Sequence, residues 1–89
     1  MMKVVKFGGS SLADAGQIQK AAAIIKAEAD RRYVVPSAPG KRFKDDIKVT
    51  DMLYQCYALA EKGEAFATQL AAIKDRYVSI LNGLSMPEN

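Results

Sequence analysis

The chain opens with a short alternation of apolar and basic residues, Lys3-Val4-Val5-Lys6-Phe7, which predicts a β-strand. It breaks at once into Gly8-Gly9-Ser10-Ser11, and a helical rhythm follows. Ile18, Ala21, Ala22, Ile25 and Ala29 share one stripe, widened by Ile24, while Gln19, Lys20, Lys26, Glu28 and Asp30 lie mostly off it. Asp14 is suited to cap this helix with Gln17 at capping-box spacing, and Ser10 or Ser11 could cap an earlier turn. A helix is expected over roughly Asp14 to Arg31, its alanine-rich face narrow enough to pack closely on a sheet. Tyr33-Val34-Val35 then predicts a short strand that stops at Pro36.

Two more helical stretches complete the pattern. Thr50 is the expected N-cap of the first, whose stripe is Met52, Leu53, Cys56, Tyr57 and Ala60 and whose end is Gly63. The second is expected to begin at Glu64, to carry Phe66, Leu70, Ile73, Tyr77 and Ile80 on one side with Leu81 broadening it, and to end at Asn82-Gly83. Residues 84–89 have no regular period, so one unit over 1–83 with an irregular tail is expected. Strand, helix and strand make a βαβ unit, which requires parallel strands and a right-handed crossover. The whole reads as βαβαα, an α/β pattern. Two parallel strands alone leave open edges and cannot shelter three apolar stripes, so the pattern is expected to be the start of a larger domain or to need a partner.

Composition narrows the function classes. Thirteen basic and ten acidic residues leave a net charge of +3, interleaved with acids and without Trp. That balance suits an anionic small molecule and argues against nucleic acid. Cys56 is the single cysteine, excluding an intrachain disulfide, and its apolar surroundings make it a structural thiol. With no histidine, His-activated nucleophiles and His-ligated metals are excluded. No apolar run approaches the ~20 residues that span a bilayer and no signal peptide opens the chain, so a cytoplasmic location is expected.

The candidate chemistry lies at the strand ends. A glycine pair between a strand and a helix lets backbone N–H groups approach a phosphate closely, and Lys6 stands beside it at the end of the strand. A plain turn is the alternative use of such a pair. The loop is neither a Walker A motif, since its lysine precedes the glycines, nor a dinucleotide fingerprint, since the next glycine is Gly16. In parallel sheets ligands gather at the carboxyl ends of strands, which puts Gly8-Gly9 and Ser37-Ala38-Pro39-Gly40 on one edge. Lys41 to Lys48 is a loop of mixed charge, more ordinary as a solvated loop than as a basic clamp; Asp45-Asp46 could approach a metal, but pairing with Lys44 or Lys48 is the more ordinary use.

Lys6-Phe7-Gly8-Gly9-Ser10-Ser11 resembles the opening Lys-Phe-Gly-Gly-Thr-Ser signature of aspartate kinases, within the amino acid kinase fold. Val34-Val35-Pro36-Ser37-Ala38-Pro39-Gly40 is similar to that family's second-strand loop, and Val49-Thr50-Asp51-Met52-Leu53 to its following helix start. The resemblance implies the N-terminal βαβαα portion of a three-layer α/β domain, incomplete in this chain. It also implies transfer of the ATP γ-phosphoryl group to the β-carboxylate of L-aspartate, towards lysine, threonine and methionine. Lys6 would neutralise charge on the transferring group; Phe7, Gly8, Gly9 and Ser10 would form the nucleotide loop; Ser37 and Thr50 would line the aspartate pocket. Mg²⁺ would accompany ATP, its ligands expected outside this chain, and a homo-oligomer is expected. Ser10 departs from the family's usual threonine but keeps the hydroxyl. Because family members are several times longer, the chain alone is expected to be inactive. The alternatives are a kinase of another small carboxylate in the same fold, or a non-catalytic truncated module that self-associates.

Overall fold

A computed structural model describes residues 1–87. Strand β1 (Lys3–Phe7) leads through a single 3-10 turn (Gly9–Leu12) into helix α1 (Ala15–Lys26). Strand β2 (Arg31–Pro36), helix α2 (Val49–Glu61) and helix α3 (Ala67–Gly83) follow, so the βαβαα order is observed. The strands pair in parallel, Val4 opposite Tyr33 and Lys6 opposite Val35, with an irregularity between Lys3 and Val4. Among the described residues no helix is long and apolar enough to cross a membrane.

Asp14 caps α1 as its spacing predicts, its carboxylate accepting from the Gln17 N–H at 2.9 Å. Gly8, not Ser10 or Ser11, stands at the cap position of the preceding 3-10 turn. Helix α1 ends at Lys26, well short of Arg31. A turn over residues 27–30 leads into the sheet: Asp30 O accepts from Lys3 N–H at 2.6 Å, and Arg31 pairs with Lys3 as the first residue of β2. Glu28 bridges Lys3 and Arg31, and the Arg31 guanidinium donates to Ile24 O. Sheet pairing and local charge therefore override a helical rhythm that continues to Ala29.

Thr50 does not cap α2. The cap position belongs to Lys48, and Thr50 is the second helical residue. Val49 explains the shift: it is 1% exposed, the most deeply buried large side chain described, and its N–H donates to Pro39 O at 3.0 Å. Burying Val49 draws the helix start back by two residues. The inward stripe is accordingly Val49, Met52, Cys56 and Leu59, leaving Leu53, Tyr54 and Tyr57 exposed. At its far end Gly63 has φ +73°. Gly63 N–H donates to Ala60 O and Glu64 N–H to Leu59 O, the paired bonds of a Schellman cap. Glu64 belongs to this cap, and α3 starts three residues later, at Ala67 behind Phe66.

The end of α3 falls at the expected Asn82-Gly83. Gly83 is its last helical residue, and Ser85, at φ +58°, takes the left-handed position. A Cβ on Gly83 would lie 2.5 Å from Ala15 Cβ, so this glycine serves the close approach of α3 to the start of α1. Residues 84–87 are in neither helix nor strand, and the N–H groups of 84–86 make the α3 cap bonds; positions 88 and 89 of the expected tail lie outside the described residues.

The core does not centre on the sheet. Val49, Met52 and Ile73 are buried together, with Ala38, Ile47 and Cys56 packed against them. This cluster joins α2 and α3 to the loop that leaves β2. On the strands, Val4 is 70% exposed and Val35 is half-exposed. The best-packed region of the molecule is thus the carboxyl-end side of the strands, where the candidate residues sit.

Candidate functional site

Three segments meet at the strand ends. Phe7 O accepts from Ser37 N–H at 3.1 Å, and Gly9 O accepts from Gly40 N–H at 2.7 Å. Pro39 O then takes the Val49 N–H, attaching the start of α2 to the same junction. The backbones approach closely enough that a Cβ on Gly40 would lie 2.5 Å from Gly9 C and 2.7 Å from Ser10 N. Glycine is obligatory at position 40 because the obstructing atoms are backbone and cannot swing aside.

Gly8 differs. Its backbone is extended (φ −77°, ψ 173°), open to any residue, and a Cβ there would meet nothing within 4 Å. Neither its conformation nor its packing demands glycine. Gly9 and Ser10 open the 3-10 turn, so their N–H groups have no acceptor within it. Lys6, Gly8, Ser10, Ser37 and Thr50 are all exposed, while Phe7 and Gly9 are half-buried. Strand alternation sends Lys6 to the face it shares with Val4, Tyr33 and Val35, away from Phe7. Phe7 instead lines a cavity with Ser11, Gln17, Lys20, Ala21 and Ile24, on the α1 side. Among the described residues Lys6 has no ion-pair partner.

A buried arginine holds the junction from behind. Arg76 of α3 is 4% exposed. Its Nη1 donates to Ile47 O at 2.8 Å; Nη2 donates to Ala13 O at 3.2 Å and also to Gly40 O. Asp46 lies 3.9 Å from Nη2. Burial pushes the guanidinium below its usual value, Arg42 adds to this and Asp46 opposes it, yet an arginine remains charged. Arg76 Nε is buried without a hydrogen-bond partner. Nothing in the reading of the sequence selected this residue. The available signal was its spacing: position 76 falls between Ile73 and Ile80 on the inward stripe of α3.

The Lys41–Lys48 segment also departs from expectation. Asp46 pairs with Arg42 rather than with Lys44 or Lys48, accepting from Arg42 Nε at 2.6 Å, Nη2 at 2.9 Å and the backbone N–H at 2.9 Å. This forked bond holds the Asp46 carboxyl well below the usual carboxylate range although the side chain is buried. Far from being fully solvated, the segment turns a carboxylate inward towards Arg76.

The sequence model of the amino acid kinase family matches residues 1–86. The chain belongs to the amino acid kinase family. It is 45% identical over 89 residues to Aspartokinase 3 of Bacillus subtilis (strain 168), a match that covers 99% of this chain and 19% of that protein. The crystal structure of Clostridium acetobutylicum aspartate kinase, described as an allosteric enzyme, superposes with a TM-score of 0.91 at 46% identity. That superposition covers 94% of this chain and 19% of the other. The parallel strand pair and its helices therefore match an N-terminal part of an aspartate kinase α/β domain, and the chain spans about a fifth of its relatives' length.

Proposed function

We propose that this chain forms the phosphate- and acceptor-binding strand ends of a phosphotransferase that moves the γ-phosphoryl group of ATP to the β-carboxylate of L-aspartate. In that reaction a carboxylate oxygen attacks the γ-phosphorus as its bond to the β–γ bridging oxygen breaks, leaving an acyl phosphate and ADP. Phosphoryl transfer asks a protein mainly for positioning and positive charge. Lys6 supplies the charge at the transferring group. The N–H groups of Gly8 and Gly9 hold phosphate oxygens, with Phe7 and Ser10 completing the loop. Ser37 and Thr50 offer hydroxyls to the carboxylates of the acceptor.

The observation that carries this reading is the joined backbone of the two strand-end loops, from Gly40 N–H to Gly9 O, with Gly8 left open beside it. A glycine that neither backbone nor packing requires is accounted for by a ligand approaching where a Cβ would stand. The identity of 45% and 46% to two aspartate kinases favours aspartate over other small acids. Mg²⁺ would accompany ATP on ligands outside this chain; among the described residues no group of three or more His, Cys, Asp or Glu side chains could hold an ion.

The test is Lys6→Ala in the protein that carries this segment. Loss of a charge needed most in the transition state should lower kcat by about 100-fold or more while KM for aspartate changes little. Unchanged kcat would contradict the assignment. Competition among small dicarboxylates and amino acids in the same assay separates aspartate from other acceptors. The chain by itself is expected to be inactive, since it spans 19% of the length of the kinases it resembles.

A further inference from the structure

We propose that Arg76 is a positioning residue for the strand-end site, one guanidinium setting the spacing of the glycine turn, the Ser37–Gly40 loop and the start of α2. The proposal rests on the phosphotransferase reading above. Each of its three acceptors belongs to a segment that carries site residues. Ala13 closes the turn that begins at Gly8 and Gly9; Gly40 closes the loop that begins at Ser37; Ile47 lies just ahead of the helix start bearing Thr50.

The geometry requires an arginine. Only a planar fork with several N–H donors can reach three carbonyls that face it from different segments, and a lysine ammonium on a thinner stem cannot span them. The charge is expensive to bury, and its partners are chiefly neutral carbonyls. Asp46 stands at 3.9 Å but is already engaged by Arg42, whose own charge opposes that of Arg76. A pairing made only for stability would not place a cation among carbonyls with one nitrogen unpartnered. What the arrangement accomplishes is registration. The phosphate-side loop and the acceptor-side loop hang on one rigid group, itself carried by a 17-residue helix.

The experiment compares Arg76→Lys and Arg76→Met with wild type by amide hydrogen exchange on the full chain, and by steady-state kinetics in the protein that carries this segment. Release of the junction should raise exchange at Gly40 and Val49 by about 10-fold or more, with the ladder amides of β1 and β2 little changed. Misalignment of the two loops should lower kcat by about 100-fold in Arg76→Met with KM within a few-fold, and less in Arg76→Lys. If Arg76→Met does not fold, the lysine variant carries the test. A uniform rise in exchange across all elements would reduce Arg76 to a stabilising residue and overturn the proposal. So would wild-type exchange at Gly40 and Val49, or opened loops with wild-type kcat. A wild-type protein that transfers no phosphoryl group, with the local exchange pattern intact, would overturn the phosphotransferase reading while leaving the tie itself standing.

Discussion

A methyl group at Gly40 and one at Gly8 would meet opposite surroundings, and that contrast separates fold from function at the scale of single residues. At Gly40 it would press on the backbone of Gly9 and Ser10, so Gly40→Ala should destabilise the protein by about 1–3 kcal/mol. At Gly8 it would enter open space, so Gly8→Ala should leave stability within about 0.5 kcal/mol of wild type while weakening nucleotide binding. Chemical denaturation and ATP titration of both variants check this pair. Asp46 adds a pH dependence. Its folded-state pKa is depressed, so its stabilisation is present above the unfolded value of about 4 and is lost as pH falls towards the lower folded value. Thermal melts below about pH 4 should therefore fall more steeply for wild type than for Asp46→Asn. The positions of the proposed glycines and hydroxyls at strand ends and a helix start were legible in the sequence, because local pattern marks such positions. Arg76 was not, because its partners are carbonyls 29 to 63 positions away and no local pattern reports them.

Elements were legible in kind and order, and less so in their limits. Periodicity identifies all five strands and helices, yet α1 stops early, α2 starts early and α3 starts late. The first two shifts have tertiary causes, the Lys3–Arg31 strand pairing and the burial of Val49, while α3 follows the local Schellman cap of Gly63 and Glu64. Gly63 was readable as a stop because glycine takes a left-handed backbone without penalty. Ser85 was not readable, since serine seldom holds that position. The two caps make opposite predictions. Gly63→Ala should destabilise by about 1–2 kcal/mol, and Ser85→Gly should stabilise by up to about 1 kcal/mol, both measured by urea unfolding.

At the scale of the whole molecule, the packing is concentrated where the proposed chemistry is. The buried part is the junction of loops and helix starts around Val49, Arg76 and Gly40, whereas the strands keep exposed faces at Val4, Tyr33 and Val35. Leu53, Tyr54 and Tyr57 add an uncovered apolar face on α2. Surfaces of this kind call for a covering partner or further protein. Open sheet edges were legible from the two-strand count alone, while the seat of the core at the strand ends was not, because it depends on loops whose apolar content is low. The central claim is that this chain furnishes a working strand-end site for phosphoryl transfer to aspartate. The direct measurement replaces the matching segment of Bacillus subtilis Aspartokinase 3 with residues 1–86 of this chain and follows ATP-dependent formation of β-aspartyl phosphate. The account predicts turnover within about 10-fold of the parent enzyme, abolished about 100-fold or more by Lys6→Ala. A folded, soluble chimaera without turnover, or one indifferent to Lys6→Ala, would contradict it.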